Sequence, residues 1–196
     1  IYGDLYDMDG NRVGDGLKKA LAGLDLKDKI VYGDFNEYLI VKHAPTWLEK
    51  ERVVFADPHY NNKEWMNNRQ AELEKRYPEF KGIAEKLYAF QRELLMNWGV
   101  KSGLLSEDAY LTFGRDYPNY VPLNRKVPKG GFARGQAAQG STIKRAKGSG
   151  LDVQFPVDSI ITNTINLVNA AVQNDVRQRL TEAANKAGGA AIFLEQ

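Results

Sequence analysis

The chain has 196 residues, 43% hydrophobic and 27% charged, which are the proportions of a globular protein rather than a disordered or fibrous one. It contains no cysteine, which excludes disulfide scaffolds, cysteine-ligated metals and thiol nucleophiles. The formal charge of +2 is a sum of −2 over residues 1–98, +6 over residues 99–150 and −2 over residues 151–196. A basic block therefore separates two mildly acidic parts.

Residues 1–14 predict a short hairpin or extension, because Asp9-Gly10 has the chemistry of a tight turn. Asp7, Asp9 and Asn11 also resemble the front of a calcium loop. The glycine stands at the fourth position instead of the sixth, and Lys18 occupies the place of the bidentate glutamate. We therefore predict a surface turn here and no metal site.

Residues 15–114 predict a helical body. A short helix is expected over residues 17–24, and Asp28 can cap a longer one whose apolar positions recur at steps of three and four. Pro45 is expected to end or kink that helix, since proline removes a backbone donor. A second piece should follow over residues 46–54.

Three further helices complete the predicted body. One covers residues 64–77, the next begins at Pro78 and covers 79–100, and the last is capped by Ser106. Their expected inward positions are Trp65, Met66 and Leu73, followed by Phe80, Ile83, Leu87, Phe90 or Gln91, Leu94, Leu95 and Trp98.

Residues 115–155 predict an extended arm followed by a loop. Three prolines exclude a helix over residues 115–128. Tyr117 and Tyr120 make this arm a possible docking strap for a groove or a neighbouring subunit. The alternative, which we favour, is that the arm covers the helical core of its own domain.

The loop over residues 126–150 holds six glycines and no acidic residue. Its cations could neutralise phosphates in a salt-dependent way, although it has one aromatic residue for base stacking and lacks a phosphate-binding Gly-Lys-Ser/Thr motif. A solvated loop, or pairing with an acidic protein surface, are the alternatives. The candidate polyanion contacts are Arg125, Lys126, Lys129, Arg134, Lys144, Arg145 and Lys147.

Residues 156–196 predict a long C-terminal helix that packs on the body. Pro156 or an Asp158 cap begins it, and Gly188-Gly189 ends it. Aliphatic side chains at steps of three or four form one narrow, regular seam, namely Ile161, Ile165, Val168, Val172, Val176 and Leu180.

The residues that could carry chemistry give no catalytic pattern. His43 and His59 are the only histidines, and neither has a neighbouring nucleophile or carboxylate motif. The glutamates of the predicted helices are typical of solvated faces, although two of them could in principle act as a glycosidase pair. We therefore predict no catalytic, cofactor-binding or metal-binding residue and no enzymatic activity for this segment.

Several strings occur in the order seen in one group of proteins. The chain resembles the helical modules of very large phage and prophage proteins known as polyvalent proteins, over about residues 28–180. The strings are Phe35-Asn-Glu-Tyr-Leu-Ile-Val-Lys-His-Ala, Tyr88-Ala-Phe-Gln-Arg, Lys101-Ser-Gly-Leu-Leu-Ser, Tyr117-Pro-Asn-Tyr-Val-Pro-Leu-Asn-Arg, Lys144-Arg-Ala-Lys-Gly-Ser and Pro156-Val-Asp-Ser-Ile-Ile-Thr-Asn-Thr.

The resemblance implies a non-enzymatic structural or interaction module of a large phage virion-associated protein, internal or ejected, that enters the host with the genome. Its partners would be portal, tail or internal virion proteins, or copies of itself, with possible DNA contact. The alternative is a DNA-binding or regulatory module attached to a phage-encoded enzyme acting in the host. The start at Ile1 is expected for a portion of a longer chain.

Overall fold

The computed structural model describes residues 1–50, 57–124 and 154–186. It confirms the prediction of a mainly helical protein with a short N-terminal hairpin. The strands are β1 (Asp4–Tyr6) and β2 (Arg12–Asp15); the helices are α1 (Leu17–Ala20), α2 (Lys29–Glu49), α3 (Lys63–Arg76), α4 (Glu79–Leu94), α5 (Glu107–Asp116) and α6 (Pro156–Lys186), with a 3₁₀ turn at Pro58–Asn61 and a π-helical turn at Leu95–Val100.

The hairpin pairs β1 with β2 in antiparallel register and closes where the sequence predicts. The Asp7 carboxylate accepts the backbone N–H groups of Asp9 and Asn11, and Gly10 adopts a φ of 86°. Leu5 is fully buried in the main core, so the hairpin is anchored to the helices rather than projecting from them.

Helix α2 begins as predicted, because the Asp28 side chain accepts two backbone N–H groups of the first turn. The helix does not end at Pro45, where the sequence predicts an end or a kink, since it continues to Glu49. An internal proline costs a helix about 3 kcal/mol. Ala44 and Trp47 lie on either side of it and are both buried, so packing of this turn against the protein offsets that cost. Residues 51–56 of the expected second piece lie outside the described residues.

Helices α2, α3 and α4 enclose an aromatic core. Phe80 makes an edge contact with Phe35, a tilted contact with Tyr38 and a stacked contact with Tyr77 at 4.5 Å between ring centroids. Such aromatic pairs add to the stabilisation from burial alone. Five positions of the apolar stripe predicted for α4 are buried here, and they are Phe80, Ile83, Leu87, Phe90 and Leu94.

Helix α6 packs on the body, but not through the seam that the sequence predicts. Its buried positions follow a regular three-and-four spacing and are Val157, Ile160, Thr164, Leu167 and Ala171. The predicted seam lies on a different side of the helix, where five of its six residues are exposed. The spacing of a helical seam shows which residues share a face, but it does not show which of two faces meets the core.

No helix within residues 1–50, 57–124 and 154–186 has both the length and the apolar character needed to cross a membrane.

Candidate interaction face

The most distinctive surface of the protein is the exposed side of α6. We call its six aliphatic residues the α6 stripe: Ile161, Ile165, Val168, Val172, Val176 and Leu180. Val168 is partly buried at the edge of the core, whereas the other five are between 39% and 56% exposed. The stripe runs over 20 residues, or about 30 Å of helix. Scattered surface aliphatics are ordinary, but a continuous row of this length is uncommon on a surface that stays in water.

The N-terminal end of α6 is held by a buried hydrogen bond. Asn36 of α2 is fully buried, and its Oδ1 accepts the backbone N–H of Val157 at 2.9 Å. This N–H belongs to the first turn of α6, where the helix offers no partner of its own. The Tyr32 hydroxyl adds a second contact by donating to Asp158 at 2.7 Å.

The middle of α6 is fixed by the turn that follows the π-helical segment. The Ser102 carbonyl oxygen accepts hydrogen bonds from the side chains of Asn174 and Gln178, at 2.6 and 3.4 Å. Gly103 adopts a φ of 76° beside them, a conformation that a side chain disfavours. Because hydrogen bonds hold α6 both at its N-terminal turn and around Asn174, the stripe has a fixed orientation relative to the body.

The sequence contains a signal for this surface, but a search for one apolar seam in each helix overlooks it. The buried positions Val157, Ile160, Leu167 and Ala171 repeat with helical spacing, as does the stripe. A helix with one apolar face has one partner, whereas α6 has two such faces. Two interleaved seams in one helix therefore indicate two packing surfaces.

The described part of the arm, residues 117–124, makes ring contacts with its own domain. The Tyr120 ring contacts His43 and Phe113, and the Tyr117 ring contacts Trp47 and Phe113. Burial raises the pKa of Tyr120 to about 12. Both tyrosines thus make intramolecular ring contacts, and their role as a docking strap stays a prediction. Helix α5 also includes residues 115 and 116, so the described part of the arm starts two residues later than expected.

His43 lies beneath this arm and is fully buried. Its Nε2 accepts the indole N–H of Trp47, which places the proton of the neutral ring on Nδ1. Burial lowers the pKa of His43 to about 3, and the backbone of Asn119 opposes this shift to a smaller extent. A neutral, enclosed imidazole of this kind contributes to packing beneath the arm.

Other residues with possible chemistry are engaged separately. Asp7 accepts from Asn11 and approaches Lys101 at 3.4 Å, and these contacts hold its pKa below the usual range. Among the described residues no group of three or more histidine or acidic side chains could hold a metal ion. The helix glutamates have distinct neighbours: Glu49 with Lys63, Glu72 with Arg69, Glu74 with Tyr38, Glu85 with Lys42 and Glu93 with Asn97.

The seven candidate polyanion contacts all lie within residues 125–147, outside the described residues.

Comparison of the chain with known protein families, with curated proteins and with solved structures gives no match.

Proposed function

We propose that this protein is an interaction module whose docking surface is the α6 stripe. The observation that carries this proposal is the row of exposed aliphatic side chains on a helix whose other seam already holds it to the body. Polar contacts at Val157 and Ser102 fix the orientation of α6, so a partner meets a preformed surface. Preformed surfaces bind with less loss of conformational entropy.

From the phage resemblance we propose that this module belongs to a large virion-associated protein that is delivered with the genome. In this proposal the helical body is a scaffold, and the partners are portal, tail or internal virion proteins or further copies. The segment carries no enzymatic role of its own. Mass spectrometry of purified particles from the source of this sequence is expected to detect its peptides, and their absence from particles would contradict the virion assignment.

The docking surface is tested by comparing two double variants of the parent chain. I165Q/V176Q makes the stripe polar, whereas N166Q/Q173N changes two exposed polar positions of the same helix. Circular dichroism should show unchanged folding in both, because these side chains are exposed. We expect the stripe variant to lose incorporation into particles and the control to retain it. Equal incorporation of both would refute the stripe as a docking surface.

The alternative function is a DNA-binding or regulatory module attached to an enzyme that acts in the host. It is supported by the sequence over residues 125–147, which holds seven basic and no acidic side chains. Contacts with phosphates release counterions, so duplex affinity should fall steeply with salt. Neutralising Lys144, Arg145 and Lys147 should weaken binding and flatten the salt dependence. An affinity that is insensitive to this change would exclude the alternative.

A further inference from the structure

We propose that the α6 stripe binds the same stripe of a second copy of this chain, with the two helices antiparallel. This inference rests on the proposed function, since it requires the stripe to be a docking surface. It goes further by naming the partner, the direction of the two helices and the residues that meet. Two features of α6 support it: the order of the aliphatic positions and the distribution of charge.

The stripe is self-complementary when one copy is reversed. Its outer, intermediate and central positions are placed symmetrically about residue 170, so each aliphatic side chain meets another aliphatic side chain at the same level. The pairs are Ile161 with Leu180, Ile165 with Val176, and Val168 with Val172. A second copy thus covers the whole stripe without leaving an aliphatic residue opposite a charge.

The hand of the pair follows from the same spacing. Ile161 and Val172 are 11 residues apart, as are Ile165 and Val176. An 11-residue repeat turns slightly more slowly than the α-helix and gives a right-handed crossing. We therefore expect a right-handed antiparallel pair rather than the left-handed pair that a seven-residue repeat gives.

The charges of α6 favour the antiparallel direction. Residues 159–174 contain no charged side chain, so desolvation of ions does not oppose contact along the centre. Asp158 stands at the first end of the helix, while residues 175–186 carry three basic and two acidic side chains. In a reversed pair the acidic end of each copy meets the more basic end of the other. The dipoles of the two helices are also antiparallel in this arrangement, which favours the pairing.

The size of the surface predicts a weak dimer. A face about 30 Å long and one helix wide is smaller than the roughly 800 Å² per partner of a standard interface. We expect a dissociation constant of the order of 10 µM for the isolated chain, because association must offset the loss of translational and rotational freedom. Other contacts of a longer parent chain would strengthen the same pairing.

The absence of cysteine permits a direct test by disulfide formation. I165C and V176C are made as separate single-cysteine chains, mixed, and oxidised at a protein concentration above the dissociation constant. The matched controls are N166C and Q173C, which place the thiol on neighbouring exposed positions outside the stripe. We expect the I165C/V176C mixture to give cross-linked dimer at least about fivefold above either chain alone and above the control mixture.

Sedimentation equilibrium of the cysteine-free chain provides the second measurement. I165Q/V176Q should raise the dissociation constant by more than about tenfold, because one aliphatic layer in each half of the pair, two in all, loses its contact. A chain that is monomeric at about 500 µM, far above the expected constant, overturns the inference. Preferential I165C–I165C and V176C–V176C cross-links also overturn it, since they indicate a parallel pair.

The failure of this inference is distinguishable from the failure of the proposed function. If the chain stays monomeric but I165Q/V176Q still abolishes incorporation into particles, the stripe docks on a different protein and only the self-pairing is wrong. If neither dimerisation nor incorporation depends on the stripe, the proposed docking function fails as well.

Discussion

We expect the attachment of α6 to the body to depend more strongly on Asn36 than on any other residue. Its side chain is fully buried, accepts from the Val157 N–H at 2.9 Å and donates to the Tyr32 carbonyl at 2.7 Å. Asn36→Ala leaves the Val157 N–H buried without its acceptor, which costs about 1–3 kcal/mol. The lost packing of the amide adds to this. We expect the free energy of unfolding to fall by about 2–3 kcal/mol in total.

The expected loss corresponds to a decrease in Tm of about 4–12 °C for a chain of this length. Urea and thermal unfolding followed by circular dichroism measure it, and hydrogen exchange of the α6 amides reports whether this helix loosens first. The control is Asn163→Ala, which removes a longer contact with the Asn124 side chain, at 3.3 Å, on a partly exposed part of the same helix. We expect it to cost less than about 1 kcal/mol.

Two results would refute this reasoning. One is a loss below about 0.5 kcal/mol for Asn36→Ala, which is within the range of neutral surface substitutions. The other is an equal loss in Asn36→Ala and Asn163→Ala, because the larger cost expected for Asn36→Ala comes from the buried Val157 N–H that loses its acceptor. Unchanged exchange of the α6 amides would also show that this bond does not hold the helix.

Two further predictions concern pH and backbone conformation. Because burial lowers the pKa of His43 to about 3, the unfolded chain binds a proton more readily, so stability is complete above about pH 6.5 and is lost as the pH falls. His43→Gln should remove about 2 kcal/mol of the stability difference between pH 6.5 and pH 5 in urea titrations, and an unchanged difference would contradict the assignment. Gly103→Ala should lower stability by about 1–2 kcal/mol because φ is positive there. Gly82→Ala, in open space within α4, should raise it by about 0.5–1 kcal/mol, and the reverse order in thermal unfolding would contradict the backbone argument.

The local elements of this fold are predictable because their causes are local. Asp28 and Ser106 cap helices that start where the sequence indicates, and the Asp9-Gly10 turn closes the hairpin. A cap or a turn needs only its own neighbours along the chain. The predicted apolar stripe of α4 is likewise buried, since α4 has a single apolar face and therefore no choice of orientation.

The incorrect predictions involve contacts between distant parts of the chain. Pro45 remains inside α2 because Trp47, two residues further on, packs against the arm at Tyr117, which no local rule anticipates. Asn36 reads as a polar residue on a helix, yet it is buried because α6 brings the Val157 N–H to it across 121 residues. The direction in which α6 turns its stripe depends on such contacts and not on the spacing alone.

The composition of α6 argues that both of its faces are covered in the working protein. A helix surface that stays in water is normally rich in lysine and glutamate, whereas residues 159–174 carry no charge at all. Full burial of a Val, Leu or Ile side chain contributes about 1.5–3 kcal/mol, so covering the remaining half of five such side chains contributes roughly 4–7 kcal/mol per copy. Two copies together reach about 8–14 kcal/mol, and the loss of translational and rotational freedom, which costs about 4–15 kcal/mol, offsets a large part of this gain. The stripe is therefore sufficient to choose a partner but not to hold it tightly, which suits a surface that works within a larger assembly.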